Sequence, residues 1–359
     1  MEVSQKQICM ATVQNFSEIS PNLPFTEFDF YNLYRQTFDQ SELGRIKHKL
    51  PLHEMAENFG LTSKVMRPRA GRRAYFTPEE KVALLFLKMY TELSSPKLME
   101  QLNGNIHYQL FCDLRIDLLH PLTNYKLLDD VMSELSHKLK LQQQQDILAS
   151  AWKPYLKELD VMYTDATCYE SEIDRNEPRE SVKNRIVSIS KPYVRPIVRG
   201  KELKKVECGA KCNNILVDGL SFIEKLSFNA FNEGTRLPHC LKMHHRLFGV
   251  DAKKVGGDAG YANDTNREYC RERGIQTSFV KRGRPTPVKK ENDIIRKELA
   301  RVRATKMEGS FGTQKEHYGL KRIKARTRLT EILYIFFGIH TANVVQLVRR
   351  EASGIVQAT

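Results

Sequence analysis

Three acids stand out in this chain by the company they keep. Asp165 ends an apolar, β-branched run inside YTDAT, Asp258 ends another inside VGGDAGYAN, and Glu308 lies on a basic helical stretch, RATKMEGSFGTQK. Carboxylates at strand ends project into the crevice where α/β sheets take up ligands, and a third carboxylate delivered by a helix can close such a site. The trio supplies hard oxygen ligands suited to two Mg²⁺ ions, with Mn²⁺ as a substitute. Two such ions about 3.5–4 Å apart can activate an attacking oxygen and stabilise a leaving one in phosphoryl transfer. Each acid also has a plainer reading, as a turn or N-cap aspartate or as half of a helical ion pair.

The charge around these acids points to a polyanion. The 359 residues hold 57 Lys and Arg against 43 Asp and Glu, a formal charge of +14. Between Lys281 and Arg328 alone there are 16 Lys or Arg and 5 Asp or Glu. Neutralising phosphates releases condensed counterions, so such a stretch favours nucleic acid. Lys315 follows Glu308 by seven residues, which on a helix gives both the same face. Lys321, Arg322, Lys324, Arg326 and Arg328 continue the track, and Tyr318 among them is either a base-stacking platform or a packed tyrosine. A second basic stretch, Lys64 to Arg73, carries Arg69, Arg72 and Arg73 around Pro68 and Gly71 and reads as a hinge.

Composition narrows the class. The chain is 41% apolar and 28% charged, enough for a core and against global disorder. Its seven cysteines follow no framework spacing, as expected in a reducing cytoplasm. No secretory signal opens the sequence, and the apolar stretch Ile332 to Val348 is broken by Gly338, His340, Thr341, Asn343 and Gln346, so it reads as a buried helix rather than a membrane span. No GxxxxGK[ST] loop is present, which argues against a nucleotide-driven motor. Cys208 and Cys212 fall in a predicted strand, without the turn that wraps a zinc ion.

The elements that must position the acids fall into two halves, an α+β organisation. Residues 1–73 read as an arm, helices and the basic hinge, and 74–156 as a helical DNA-binding domain. Thr77-Pro78-Glu79-Glu80 is a strong helix start. The short helices that follow, with turns at Ser94-Ser95-Pro96 and Asn103-Gly104-Asn105, suit a helix-turn-helix and a plain bundle equally. The glutamine run Gln142 to Gln145 reads as a solvated face. Residues 157–351 read as an α/β domain, with strands at Val161 to Asp165, Arg185 to Ile189, Val206 to Val217 and Gln276 to Val280, and helices over Asn263 to Gly274, Asp293 to Thr313 and Glu331 to Arg350. Residues 352–359 are a tail.

Three separated blocks carry a family resemblance: YTDATCYESEI around Asp165, GGDAGYANDTNREYCRERGI around Asp258, and MEGSFGTQKEHYGLKRIKARTRLTEILYIFFGIHTANVVQLVRR from Glu308 on. With these, the chain resembles a DDE transposase of bacterial insertion sequences, in the IS-five-like group. The segment FTPEEKVALLFLKMYTELSSPKLMEQLNGNIHYQLFCDL is similar to that family's N-terminal domain. The resemblance implies an RNase H-like catalytic core in which Asp165, Asp258 and Glu308 hold two catalytic metal ions. It implies double-stranded DNA as partner, both transposon ends and target, no membrane, a homodimer or larger assembly, and a cytoplasmic, nucleoid-associated setting. A Tyr, an Arg, the Glu and a Lys recur on the family's last catalytic helix. Glu308 and Lys315 fit that spacing, whereas Arg301 stands at the Tyr position and Ala304 at the Arg position, with Arg303 on a different face of a regular helix. Only Asp174 to Asn184 occupies the place where relatives carry a long helical insert, which keeps a catalytically impaired DNA-binding remnant, and a stand-alone nuclease, as alternatives.

Overall fold

The computed structural model describes residues 27–61, 75–117, 119–173, 187–198, 206–280 and 287–354. The N-terminal arm, the hinge residues Arg69, Arg72 and Arg73, and the segment Asp174 to Asn184 lie outside the described residues. The first half is helical: α1 (Glu27–Gln40), α2 (Glu42–His48), α3 (Leu52–Asn58), α4 (Pro78–Thr91), α5 (Ser95–Gly104), α6 (Ile106–Cys112), α7 (Lys126–Lys138) and α8 (Leu141–Trp152). The second half begins with β1 (Val161–Ser171), β2 (Pro196–Val198), β3 (Val206–Val217) and β4 (Leu220–Ser227), followed by α9 (Leu237–Phe248), β5 (Lys254–Gly256), α10 (Asp264–Glu272) and β6 (Gln276–Thr277). It closes with α11 (Pro287–Val302), α12 (Glu308–His317), β7 (Arg322–Ile323) and α13 (Arg328–Ala352). Mixed helix and sheet in this distribution is consistent with the α+β expectation.

α4 starts where the sequence says it should. The Thr77 side chain accepts from the Glu80 amide while the Glu80 carboxylate accepts from the Thr77 amide, behind a proline at the first turn. Every residue from Val82 to Met89 is buried, and a helix covered on all sides must lie inside the fold. Its cover comes from α3, α6 and α13. α13 is long and apolar enough to cross a membrane, yet most of that apolar length is buried within the fold, packed on α2, α4 and α7 and also on β4. One hydrophobic cluster therefore runs from Phe38 and Leu84 through Phe336 and Phe337 to Met162 and Phe222.

β1 is the axis of the sheet. It pairs antiparallel with β3 along nine residues, and β3 pairs antiparallel with β2 and β4. On its other edge β1 pairs in parallel with β5 at Val161 to Tyr163 and with β7 at Glu170 and Ser171; β6 extends the sheet in parallel beyond β5. Among the described residues, no strand covers that edge between Thr164 and Tyr169.

Four local expectations change. Asp165 does not end a strand: β1 runs on to Ser171 because β3 pairs along it, and Asp165 lies inside it opposite Asn214. Val187 to Ser190 forms irregular chain rather than a strand, and Leu220–Ser227, which the sequence reading did not single out, is a strand that pairs with β3. The long helix expected over Asp293 to Thr313 begins at Pro287 and is broken by a π turn at Arg303–Met307. The glutamine run is not a solvated face: Gln144 and Gln145 are fully buried. Gln144 donates to the Met55 carbonyl at 3.0 Å, and Gln145 both donates to the Ile223 carbonyl at 3.0 Å and accepts from its amide at 2.6 Å. A side-chain amide thus stands in for a neighbouring strand and pins α8 to β4, which is what a buried polar group requires.

Candidate active site

Successive residues of a strand face opposite sides, so β1 sends Asp165 and Tyr169 one way and Thr164 the other. On the Thr164 side its hydroxyl donates to the Asn214 carbonyl at 3.1 Å and lies 3.5 Å from the Tyr261 hydroxyl. Tyr261 donates to Asn213, Asn213 donates to Glu224 at 3.0 Å, and Glu224 is paired with Arg236. This buried chain of bonds ties β1, β3, β4 and α9 together beneath the strand ends. On the Asp165 side, the Tyr169 hydroxyl donates to Gln314 of α12 at 2.6 Å, and Gln314 donates to Ser310, which meets Ser221 of β4 at 2.9 Å. α12 is thereby fastened across the sheet by buried polar groups that sequence spacing does not flag.

Strand pairing sets Asp165 and Asp258 at matching offsets past one residue pair. β1 and β5 match Tyr163 with Gly256, and each aspartate lies two residues past its member of that last pair. Both carboxylates, after burial itself and Cys240, help to hold the buried Tyr261 phenol well above its ordinary pKa. Gly256 is glycine because α11 closes over it: a β-carbon there would collide with the Tyr163 ring and sit 3.2 Å from the Leu299 carbonyl oxygen. Asp258 also takes the plainer role, capping the turn Ala259–Tyr261 by accepting from the Gly260 amide at 2.9 Å.

Glu308 opens α12 and is exposed. Among the described residues no group of three or more His, Cys, Asp or Glu is gathered as a metal cage. A different partner has reached Asp165: Arg303 lies 3.2 Å from its Oδ2, with the two side chains 15% and 17% exposed. A regular helix would turn Arg303 roughly 140° away from Glu308, but i→i+5 bonding brings residue i+5 back toward the face of residue i. The π turn Arg303–Met307 therefore re-aims Arg303, while Arg301 is held on the exterior by Glu298 at 2.7 Å. A helical wheel drawn without the π turn misses this.

The donor set suits a divalent cation in one respect that the structure displays. Asp165 is a largely buried carboxylate in an environment that already supplies a full positive charge opposite it, and Asp258 offers a second hard oxygen donor two residues past the same strand pair.

The expected DNA-binding residues cluster elsewhere. Lys315 sits 5.9 Å above the Tyr169 ring and lines a cavity together with Lys321, Arg322, Lys324 and Arg326. Lys321 pairs with Glu316 at 2.9 Å and Arg322 lies 3.8 Å from Glu172. Tyr318 is packed in the core, only 4% exposed, so it is no stacking platform.

Comparison with known proteins gives two family matches. A model described as a transposase DDE domain matches residues 255–343, a span that contains Asp258, Glu308 and Lys315 but not Asp165. A model described as a transposase domain (DUF772) matches residues 32–131, from α1 into α7. No curated protein and no solved structure matches the chain. The match to a transposase DDE domain over about one quarter of the chain and to a transposase domain over another together support a DDE transposase.

Proposed function

We propose that this transposase binds the terminal inverted repeats of an insertion sequence of the IS-five-like group, hydrolyses a strand at each end and joins the freed 3′-hydroxyl to target DNA. The observation that carries the reading is the placement of Asp165 and Asp258 at equivalent positions past the last pair of two parallel strands. The strand order, antiparallel β4-β3-β1 followed by parallel β5 and β6, supports an RNase H-like core within residues 157–351, with 74–156 as the helical DNA-binding part. Asp165, Asp258 and Glu308 are the residues that would hold two Mg²⁺ ions, or Mn²⁺ in their place. When bound, such ions supply Lewis-acid activation of the attacking oxygen and charge stabilisation at the scissile phosphate. The chain's own part is positional: the Tyr169–Gln314 bond fixes α12 and so the base of Glu308, the Thr164–Tyr261–Asn213 chain supports both aspartates, and Lys315 with the basic track, joined by the hinge arginines, holds backbone phosphates. Two ends must be held at once, so a homodimer or larger complex acts on nucleoid DNA in the cytoplasm.

One observation favours a second reading. The Arg303–Asp165 ion pair and the exposed Glu308 suit a DNA-binding remnant that no longer cuts. A single assay separates the two: duplexes carrying the matching terminal repeats are incubated with the protein in Mg²⁺ or Mn²⁺. Strand cleavage and joining that vanish in Asp165→Asn, Asp258→Asn and Glu308→Gln support the transposase. Binding without cleavage by the unmutated protein in both metals establishes the remnant, and cleavage without joining indicates a nuclease.

A further inference from the structure

A cavity of about 660 Å³ opens where the two halves of the chain meet, and none of the three candidate acids lines it. One wall is α4 and α7; the other is the segment from the end of α12 to the start of α13. Its acids are already engaged. Glu92 accepts from the Gly319 amide at 2.7 Å, Asp129 accepts from the Ser95 hydroxyl at 2.8 Å, and Glu316 pairs with Lys321. Its cations are less committed: Lys324 and Arg326 are exposed at the rim with no hydrogen bond or ion pair among the described residues.

At the base lies Lys88 of α4, 7% exposed, donating to the Leu93 carbonyl. An ammonium carries three donors, and a buried charge needs more than one neutral acceptor to offset its desolvation. Burial draws the Lys88 pKa down to about 8, with Lys324 lowering it further and Asp129 opposing. A buried lysine and two unengaged cations facing one cavity make a site complementary to a multiply charged anion, and the rim runs on into the basic track.

We propose that this cavity is a phosphate seat for the DNA backbone, in which Lys88 of α4 and Lys324 and Arg326 ahead of α13 grip a phosphodiester between the helical half and the sheet half. The proposal rests on the transposase reading and adds a residue from the segment matched at 32–131 to the cations of the segment matched at 255–343. Phosphate bound there links the two halves, so DNA occupancy stiffens the junction.

The test uses the full chain with two probes, a labelled random-sequence duplex and inorganic pyrophosphate. Lys88→Met keeps an unbranched side chain of similar length in the buried position, and Lys324→Ala alters an exposed one that the fold does not need. Each is expected to weaken duplex binding about tenfold at moderate salt and to reduce the slope of log affinity against log salt by about 1. Pyrophosphate is expected to protect the unmutated protein against thermal unfolding and to lose that effect in Lys88→Met. Duplex binding by the unmutated protein with affinity and slope unchanged in both variants overturns the seat and leaves the transposase reading intact. Pyrophosphate binding that depends on Lys88, in a protein that binds no duplex, overturns both the DNA assignment and the reading beneath it, and gives the cavity to a free polyphosphate.

Discussion

The Asp165 carboxylate of β1 and the basic cavity by α4 handle charge in opposite ways. At the first, the chain neutralises itself, with Arg303 set against Asp165 at 3.2 Å. At the second, the acids are tied to an amide, a hydroxyl and Lys321, which among the described residues leaves Lys324 and Arg326 without an ion pair and Lys88 poorly compensated. A self-neutralised site is stable without a ligand and must release a partner before it can hold a metal. An uncompensated site gains stability when a ligand arrives, because buried or crowded charge is costly until it is paired.

The largest effect expected from this contrast is on cleavage. Asp258→Asn should lower the rate of strand cleavage by at least about 10³-fold, while duplex affinity stays within about twofold of the unmutated protein. Loss of binding equal to the loss of cleavage, measured by gel shift and cleavage on one duplex, would show that the two regions do not work separately. Next comes Arg303→Gln, which removes the positive charge opposite a largely buried carboxylate. With chelator present it should cost about 2 kcal/mol in urea denaturation, and millimolar Mn²⁺ should return most of that. A deficit that Mn²⁺ leaves untouched would mean that Arg303 does not stand in for a cation.

A third effect isolates the core from both regions. His340 of α13 is fully buried among Trp152, Phe222 and Phe336, and burial holds its pKa down to about 3. The unfolded chain takes up this proton near pH 6.5 and the folded chain only near 3. Its contribution is therefore complete above about 6.5 and is lost as the pH falls toward 3, by about 2 kcal/mol at pH 5. His340→Phe should shrink the stability drop between pH 7.5 and pH 5; an unchanged drop would assign mild-acid sensitivity to other groups. The smallest effect is Tyr169→Phe, which deprives buried Gln314 of its donor and should cost about 1 kcal/mol while slowing cleavage more than it weakens binding. Equal effects on both would deny α12 its positioning role.

Much of this was legible from residue order. The α4 start follows from Thr77-Pro78-Glu79-Glu80 because capping is local chemistry, and α13 follows from the long apolar run Ile332 to Val348. Asp165 and Asp258 stand out as acids closing apolar runs, yet β1 continues six residues past Asp165, because its pairing with β3 is not visible in residue order. What escaped depended on contacts between distant segments. Gln144 and Gln145 look solvated until β4 and α3 arrive beside them. Lys88 is inconspicuous in an apolar helix, and only the packing of α7 and the segment ahead of α13 around it gives it a cavity to face.

By itself the sequence determined which groups the chain has to offer, since the types and order of Asp165, Asp258, Glu308 and the basic track are enough to read them as oxygen donors and cations. It also determined which stretches could be helix or strand, because capping and hydrophobic period are written within a few residues. The tertiary structure alone decided which charges meet. Strand register set Asp165 and Asp258 each two residues past one β1–β5 pair, and a π turn precedes Glu308 where Arg303 meets the Asp165 carboxylate. Coulomb interactions act over a few ångströms in space, and spacing along a chain fixes those distances only within one regular element.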